Sequence, residues 1–139
     1  MSTLRNLATK YSTLDEEQIE WLELLMLDGP LLADLALGDV VLWVPAKDGN
    51  YLAVAHNRPA GSVTLFYRDV LGDYLREDWL PIVDAATATR TAVDSRAPVW
   101  YEENAMKLTA YSVSLREEGA SSSTGRNTDT GVIVTGLQS

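Results

Sequence analysis

The sequence contains no cysteine and a single histidine, His56. Without cysteine there is no disulfide, thiolate metal site or cysteine nucleophile, and one histidine excludes a multi-histidine metal centre. Basic residues are also scarce, with 11 Lys+Arg against 20 Asp+Glu and a formal net charge of −9. Extended DNA or RNA is held by clustered Lys and Arg, so this balance argues against a nucleic-acid partner. Long apolar runs are missing as well. The most apolar window, Leu31 to Val44, is broken by Asp34 and Asp39 and is too short to span a bilayer. Met1 to Lys10 lacks the basic flank and apolar stretch of a signal peptide. A cytoplasmic location with no membrane contact is therefore expected.

Catalytic signatures are equally thin. There is no P-loop, dinucleotide-binding glycine motif, Gly-x-Ser-x-Gly elbow or His-Glu-x-x-His helix. The adjacent carboxylates Glu102 and Glu103 diverge on one backbone and read as a solvated turn. No catalytic residue, metal site or cofactor is expected within the chain.

What is present is a 139-residue chain, 46% hydrophobic and 22% charged, the size and composition of one folded domain. Its acidity is concentrated early: residues 1–55 carry three basic and nine acidic side chains, whereas 56–110 carry six and eight. Thr13 and Glu16 have the spacing of a capping box. Leu14 to Leu27 follows with Ile19, Leu22, Leu25 and Met26 at helical intervals. Trp21, Leu24 and Leu27 widen that stripe beyond one contact face, which points to a second contact such as another copy of the chain. Asp28-Gly29-Pro30 breaks the pattern, and Leu31, Leu32 and Leu35 resume it before Gly38.

Val40 to His56 reads as a β-hairpin around Asp48-Gly49, a dipeptide suited to a type I′ turn. A two-residue loop there pairs Val41 with His56 and Trp43 with Val54. Alternation then places Val41, Trp43, Leu52, Val54 and His56 on one face. Both faces are apolar, so the hairpin should be covered on both sides. Residues 58–104 form a long crossover with a short helix at Pro81 to Thr91. Residues 106–137 form a second hairpin, with a Ser/Thr/Gly-rich loop expected to be mobile over 119–131. The predicted class is α+β, an antiparallel sheet with N-terminal helices (14–37) on one face and the crossover on the other. A chamber between sheet and crossover would suit a small molecule. Trp43, His56, Arg58, Trp79 and Trp100 are its candidate lining, tryptophan offering stacking area and one N–H donor.

Certain blocks resemble a known family. Leu31-Leu32-Ala33-Asp34-Leu35, Asp39, Leu42-Trp43-Val44 and Asp48-Gly49 are followed by Arg58-Pro59, Thr64, Asp69-Val70-Leu71-Gly72 and Pro81-Ile82-Val83-Asp84-Ala85. In order and spacing this resembles the N-terminal GAF-like sensor domain of actinobacterial two-component histidine kinases, over about residues 14–90. The resemblance implies a regulatory domain that binds a small molecule or a partner, and the wide apolar stripe of its N-terminal helices adds transmission through a homodimer. It also implies an attached kinase, absent from this chain, that passes phosphate to a response regulator. A structural dimerisation or protein-docking module without ligand is the alternative. Ser112-Val113-Ser114, where relatives tend to carry Pro-Val-Arg, and the 119–131 loop depart from the family pattern.

Overall fold

The computed structural model describes residues 3–30, 33, 39–58, 70–89, 92–95, 99–101, 104–115 and 128–138. Among the described residues six strands form one antiparallel sheet: β1 (Asp39–Pro45), β2 (Tyr51–Asn57), β3 (Val93–Asp94), β4 (Val99–Tyr101), β5 (Asn104–Leu115) and β6 (Thr128–Gln138). The spatial order is β2-β1-β6-β5, with β3 and β4 both pairing along the outer edge of β5. Helices α1 (Thr3–Tyr11) and α2 (Glu16–Met26) cover one face. Helix α3 (Leu80–Thr89) covers the other. This is the expected α+β sandwich.

Each element has a local cause. Asp15 caps α2, its carboxylate accepting from the Gln18 backbone N–H at 2.8 Å while the Gln18 side chain accepts from the Asp15 N–H at 2.9 Å. The box is therefore Asp15–Gln18 and not Thr13–Glu16, because the helix begins at Glu16, one residue after its cap. Helix α1 has no counterpart in the sequence reading, although Leu4, Leu7 and Ala8 fall at i, i+3 and i+4. Arg5 of α1 fastens the two helices by bridging Glu16 and Glu23.

The β1–β2 turn also differs from the expected form. Gly49 N–H bonds to the Ala46 carbonyl at 3.1 Å and Ala46 N–H to the Asn50 carbonyl at 2.7 Å. Gly49 alone takes the left-handed conformation of the turn, at φ 91°, while the Asp48 carboxylate accepts from the Asn50 N–H at 3.0 Å. That is a three-residue loop ending in a left-handed glycine, and it needs one positive φ where type I′ needs two.

The register follows suit. Val41 pairs with His56 as expected, but a bulge beyond Leu42 pairs Trp43 with Ala53 instead of Val54. The extra residue on β2 inverts its parity. Leu52 and Val54 consequently lie with Leu42 and Val44 under α1 and α2, and Trp43 shares the α3 face with Val41 and Ala53.

Two apolar cores result. One joins Leu4, Ala8, Ile19 and Leu22 to Leu42, Val44, Leu52 and Val54. The other joins Val41, Trp43, Leu108, Ala110 and Val134 to Trp79, Val83 and Ala86. A fully buried leucine such as Leu22 contributes about 1.5–3 kcal/mol through apolar burial. The segment after Val70 runs along the free edge of β2, where Gly72 N–H bonds to Ala53 O at 2.9 Å and Leu75 N–H to Tyr51 O at 2.9 Å. An edge covered in this way offers no template for aggregation.

In the region expected to be the 119–131 loop, Thr128 to Gly131 instead belong to β6, with Asp129 opposite Ser114 and Gly131 opposite Val113. Residues 93–94 and 99–101 of the expected crossover are edge strands. Residues 34–37 of the expected N-terminal helices and 59–69 of the expected crossover lie outside the described residues.

Candidate functional site

The sheet face beneath α3 gathers most of the residues singled out in the sequence. Trp43 on β1 and Trp79, at the end of a 3-10 turn (Glu77–Trp79) leading into α3, belong to one cluster with Val41, Val83 and Ala86. They are 3% and 1% exposed, so both rings act as core. The Trp43 indole N–H has no hydrogen-bond partner among the described residues. The Arg76 guanidinium lies 5.8 Å from the centre of the Trp79 ring system, within cation–π range.

His56 lies on the same sheet face. Its partner Val41 and the next residue of like parity, Asp39, bring imidazole and carboxylate together diagonally across the strands. His56 Nε2 is 2.7 Å from Asp39 Oδ2, with side chains 2% and 0% exposed. A carboxylate oxygen can only accept, so the Nε2–H donates. Isolated in an apolar interior, either group would cost several kcal/mol to bury, which the pairing offsets. A dyad this deep fastens the start of β1 to the end of β2. Arg58, two residues further on, is exposed. Trp100 lies on β4 opposite Ala105. From β1 that strand is three steps across the sheet, about 14 Å at the usual strand spacing. The Trp100 side chain lies outside the described residues.

A cleft opens on the opposite, helical face. Its volume is about 340 Å³, and it lies between the start of α1 (Thr3, Leu4), the end of α2 (Glu23, Met26, Leu27) and the last residues of β2. His56 is the predicted residue that borders it, beside Ala55 and Asn57. The turn after α2 packs hard against this wall, since a Cβ on Gly29 would run into the Asn57 side chain. The lining is mostly apolar, with Thr3, Glu23, His56 and Asn57 as its polar residues. The sequence reading missed this cleft because it drew on α1, which was not foreseen, and on the bulge that turns Val54 towards the helices.

Polar chemistry beside these sites is limited. Hydrogen bonds that Arg5 donates to Glu23 and to Glu16 push its guanidinium pKa still higher, so it remains a fixed cation between the helices. At the hairpin end, a hydrogen bond to Asp48 raises the Tyr74 phenol above its ordinary value, with the Asp48 charge adding to the effect. Among the described residues no three His, Asp or Glu side chains converge to hold a metal ion. Nor is any described helix long and apolar enough to cross a membrane.

An antiparallel sheet in the order β2-β1-β6-β5, sandwiched between N-terminal helices and a crossover helix, defines an α+β domain of GAF-like architecture. The family model for the GAF domain of histidine kinase PdtaS matches residues 4–120, and the chain belongs to that family. A solved structure described as the sensor region of a sensor histidine kinase is similar in fold, with a TM-score of 0.62 and 23% identity. The match covers 100% of this chain and 43% of that one, so the chain spans less than half the length of its structural relative. No curated protein sequence matches.

Proposed function

We propose that this domain is the regulatory, signal-sensing part of a sensor histidine kinase. It would bias an attached kinase core towards or away from autophosphorylation and onward transfer to a response regulator. The observation that carries the reading is the family match over residues 4–120, which takes in α1, α2, the β1–β2 hairpin, α3 and β5. The fold supplies a physical route. One rigid sheet has different elements packed on its two faces, so a ligand or partner that prefers one packing of α1 and α2 shifts the population of the whole module.

A second reading is favoured by a specific observation. Trp43 and Trp79, two of the residues expected to line a chamber, are packed into the core under α3, and an open cleft lies on the helical face. That arrangement suits a module whose signal is a docked protein segment, with no small molecule beneath the crossover.

The test is autophosphorylation of the whole kinase from labelled ATP, with this domain present and with it deleted. A changed rate, or a lost response to an added ligand or partner, supports regulation. Equal rates and equal responses in the two proteins overturn it. Thermal-shift measurements on the domain with small molecules and, separately, with peptides separate the readings, because whichever ligand binds adds about 2.7 kcal/mol of stability at about 100 times its Kd.

A further inference from the structure

We propose that the outer face of α2, together with the cleft beside it, is a docking groove for a cationic amphipathic helix. The proposal stands on this face alone and does not require the kinase reading.

Charge is the first argument. From Tyr11 to Ala46, 36 consecutive residues contain eight Asp and Glu and no Lys or Arg. Helix α2 lies inside that stretch and, together with its C-cap residue Leu27, exposes Glu16, Glu17, Glu20 and Leu24. At 100° per residue these five positions fall within one 100° arc. Arg5 engages Glu16 and Glu23, while Glu17, Glu20 and Asp28 have no ion pair among the described residues. The first half of the face is therefore anionic.

Apolar exposure is the second argument. Leu24 and Leu27, about one turn apart, are 59% and 75% exposed. Exposed leucines side by side on a small domain mark a contact surface. Leu27 also lines the 340 Å³ cleft with Met26, Leu4, Val54 and Ala55. Face and cleft are thus one continuous apolar surface with acidic residues along its border.

Complementarity identifies the occupant. A helix with apolar side chains at i, i+3 and i+4 would set one anchor in the cleft and others on Leu24 and Leu27. Lys or Arg on its flanks would then reach Glu17, Glu20 and Asp28. A second copy of this chain, the occupant suggested by the width of the stripe, supplies no cation from its own α2. Pairing α2 with α2 would set carboxylates against carboxylates or against leucines, which opposes association.

The experiment uses a synthetic Leu/Lys peptide of about 14 residues, about 21 Å long as a helix, with leucines at helical spacing. A Leu/Glu peptide of the same pattern is the control. Each is titrated into the isotopically labelled domain, with affinity measured by calorimetry and the site mapped by amide shifts. The expected result is one-to-one binding of the Leu/Lys peptide, with shifts confined to α2, the start of α1 and the end of β2. Leu24→Ser and Leu27→Ser, both at exposed positions, should each weaken it about tenfold. E17Q and E20Q together should weaken it and flatten its salt dependence. Three outcomes overturn the proposal. One is Leu/Lys binding indifferent to both serine variants or mapped elsewhere, and another is equal affinity for the Leu/Glu peptide. The third is a dimer detected by light scattering that Leu27→Ser abolishes, which would make a second copy the occupant.

Discussion

Substitution at the buried Asp39–His56 pair gives a direct measure of what holds β1 to β2. The two side chains are 0% and 2% exposed and meet at 2.7 Å, so neither is well solvated. Asp39→Ala removes the carboxylate partner of the imidazole, and His56→Ala removes the imidazole partner of the carboxylate. Breaking a buried pair from one side costs about 3–5 kcal/mol. With an m-value of about 2 kcal/mol/M, each single variant should lose about 1.5–2.5 M in urea midpoint, followed by tryptophan fluorescence. The double variant no longer buries either group, and should be less destabilised than the sum of the singles by about 1–3 kcal/mol. Asp39→Asn keeps an acceptor without the charge and should fall between wild type and Asp39→Ala. Single effects that add to within about 0.5 kcal/mol would refute the coupling. The dyad would then be two independent buried residues.

Two further outcomes follow from the same geometry. Tyr74 donates a hydrogen bond to the Asp48 carboxylate, which favours the neutral phenol and raises its folded-state pKa above the ordinary value near 10. Its contribution to stability is complete below the unfolded pKa and is lost as pH rises through the higher folded value. An NMR titration of labelled tyrosine should show Tyr74 deprotonating above 10 and moving back towards 10 in Asp48→Asn, and an unmoved curve would exclude the contact. The second outcome concerns two glycines needed for different reasons. At Gly131 an added Cβ would lie 2.9 Å from the Trp43 carbonyl oxygen, a backbone atom that cannot give way alone. Gly131→Ala should therefore strain the β1–β6 pairing by about 1–3 kcal/mol. Gly49→Ala meets nothing within 4 Å, so only its φ of 91° opposes it, at about 1–2 kcal/mol. Thermal unfolding with amide exchange separates them, because only Gly131→Ala should loosen amides of β1 and β6.

Much of the fold is local and could be read from the chain. The β-branched run before Asp48-Gly49, the helical stripe through Ile19 and Leu22, and Pro81 at the opening of α3 each specify an element through backbone preference and apolar period. The α+β class follows from their order. Helix α1 carried a signal too, in Leu4, Leu7 and Ala8, but nine residues make a marginal helix until something packs against it. His56 opposite Val41 was also readable, which put Asp39 within reach of the imidazole.

Tertiary structure alone decided which face each side chain occupies. One extra residue on β2, opposite the Leu42–Trp43 step of β1, reversed the parity of β2, sending Leu52 and Val54 to the helices and leaving Trp43 under α3. No residue type announces such a bulge, because it arises when two sheet faces and a three-residue turn must be satisfied together. The cleft depends on that choice, since its floor is Val54 and Ala55 and its walls come from helices remote in sequence from β2. Period and propensity act over a few residues and name the elements. Packing acts across the whole chain and decides where a surface is left open.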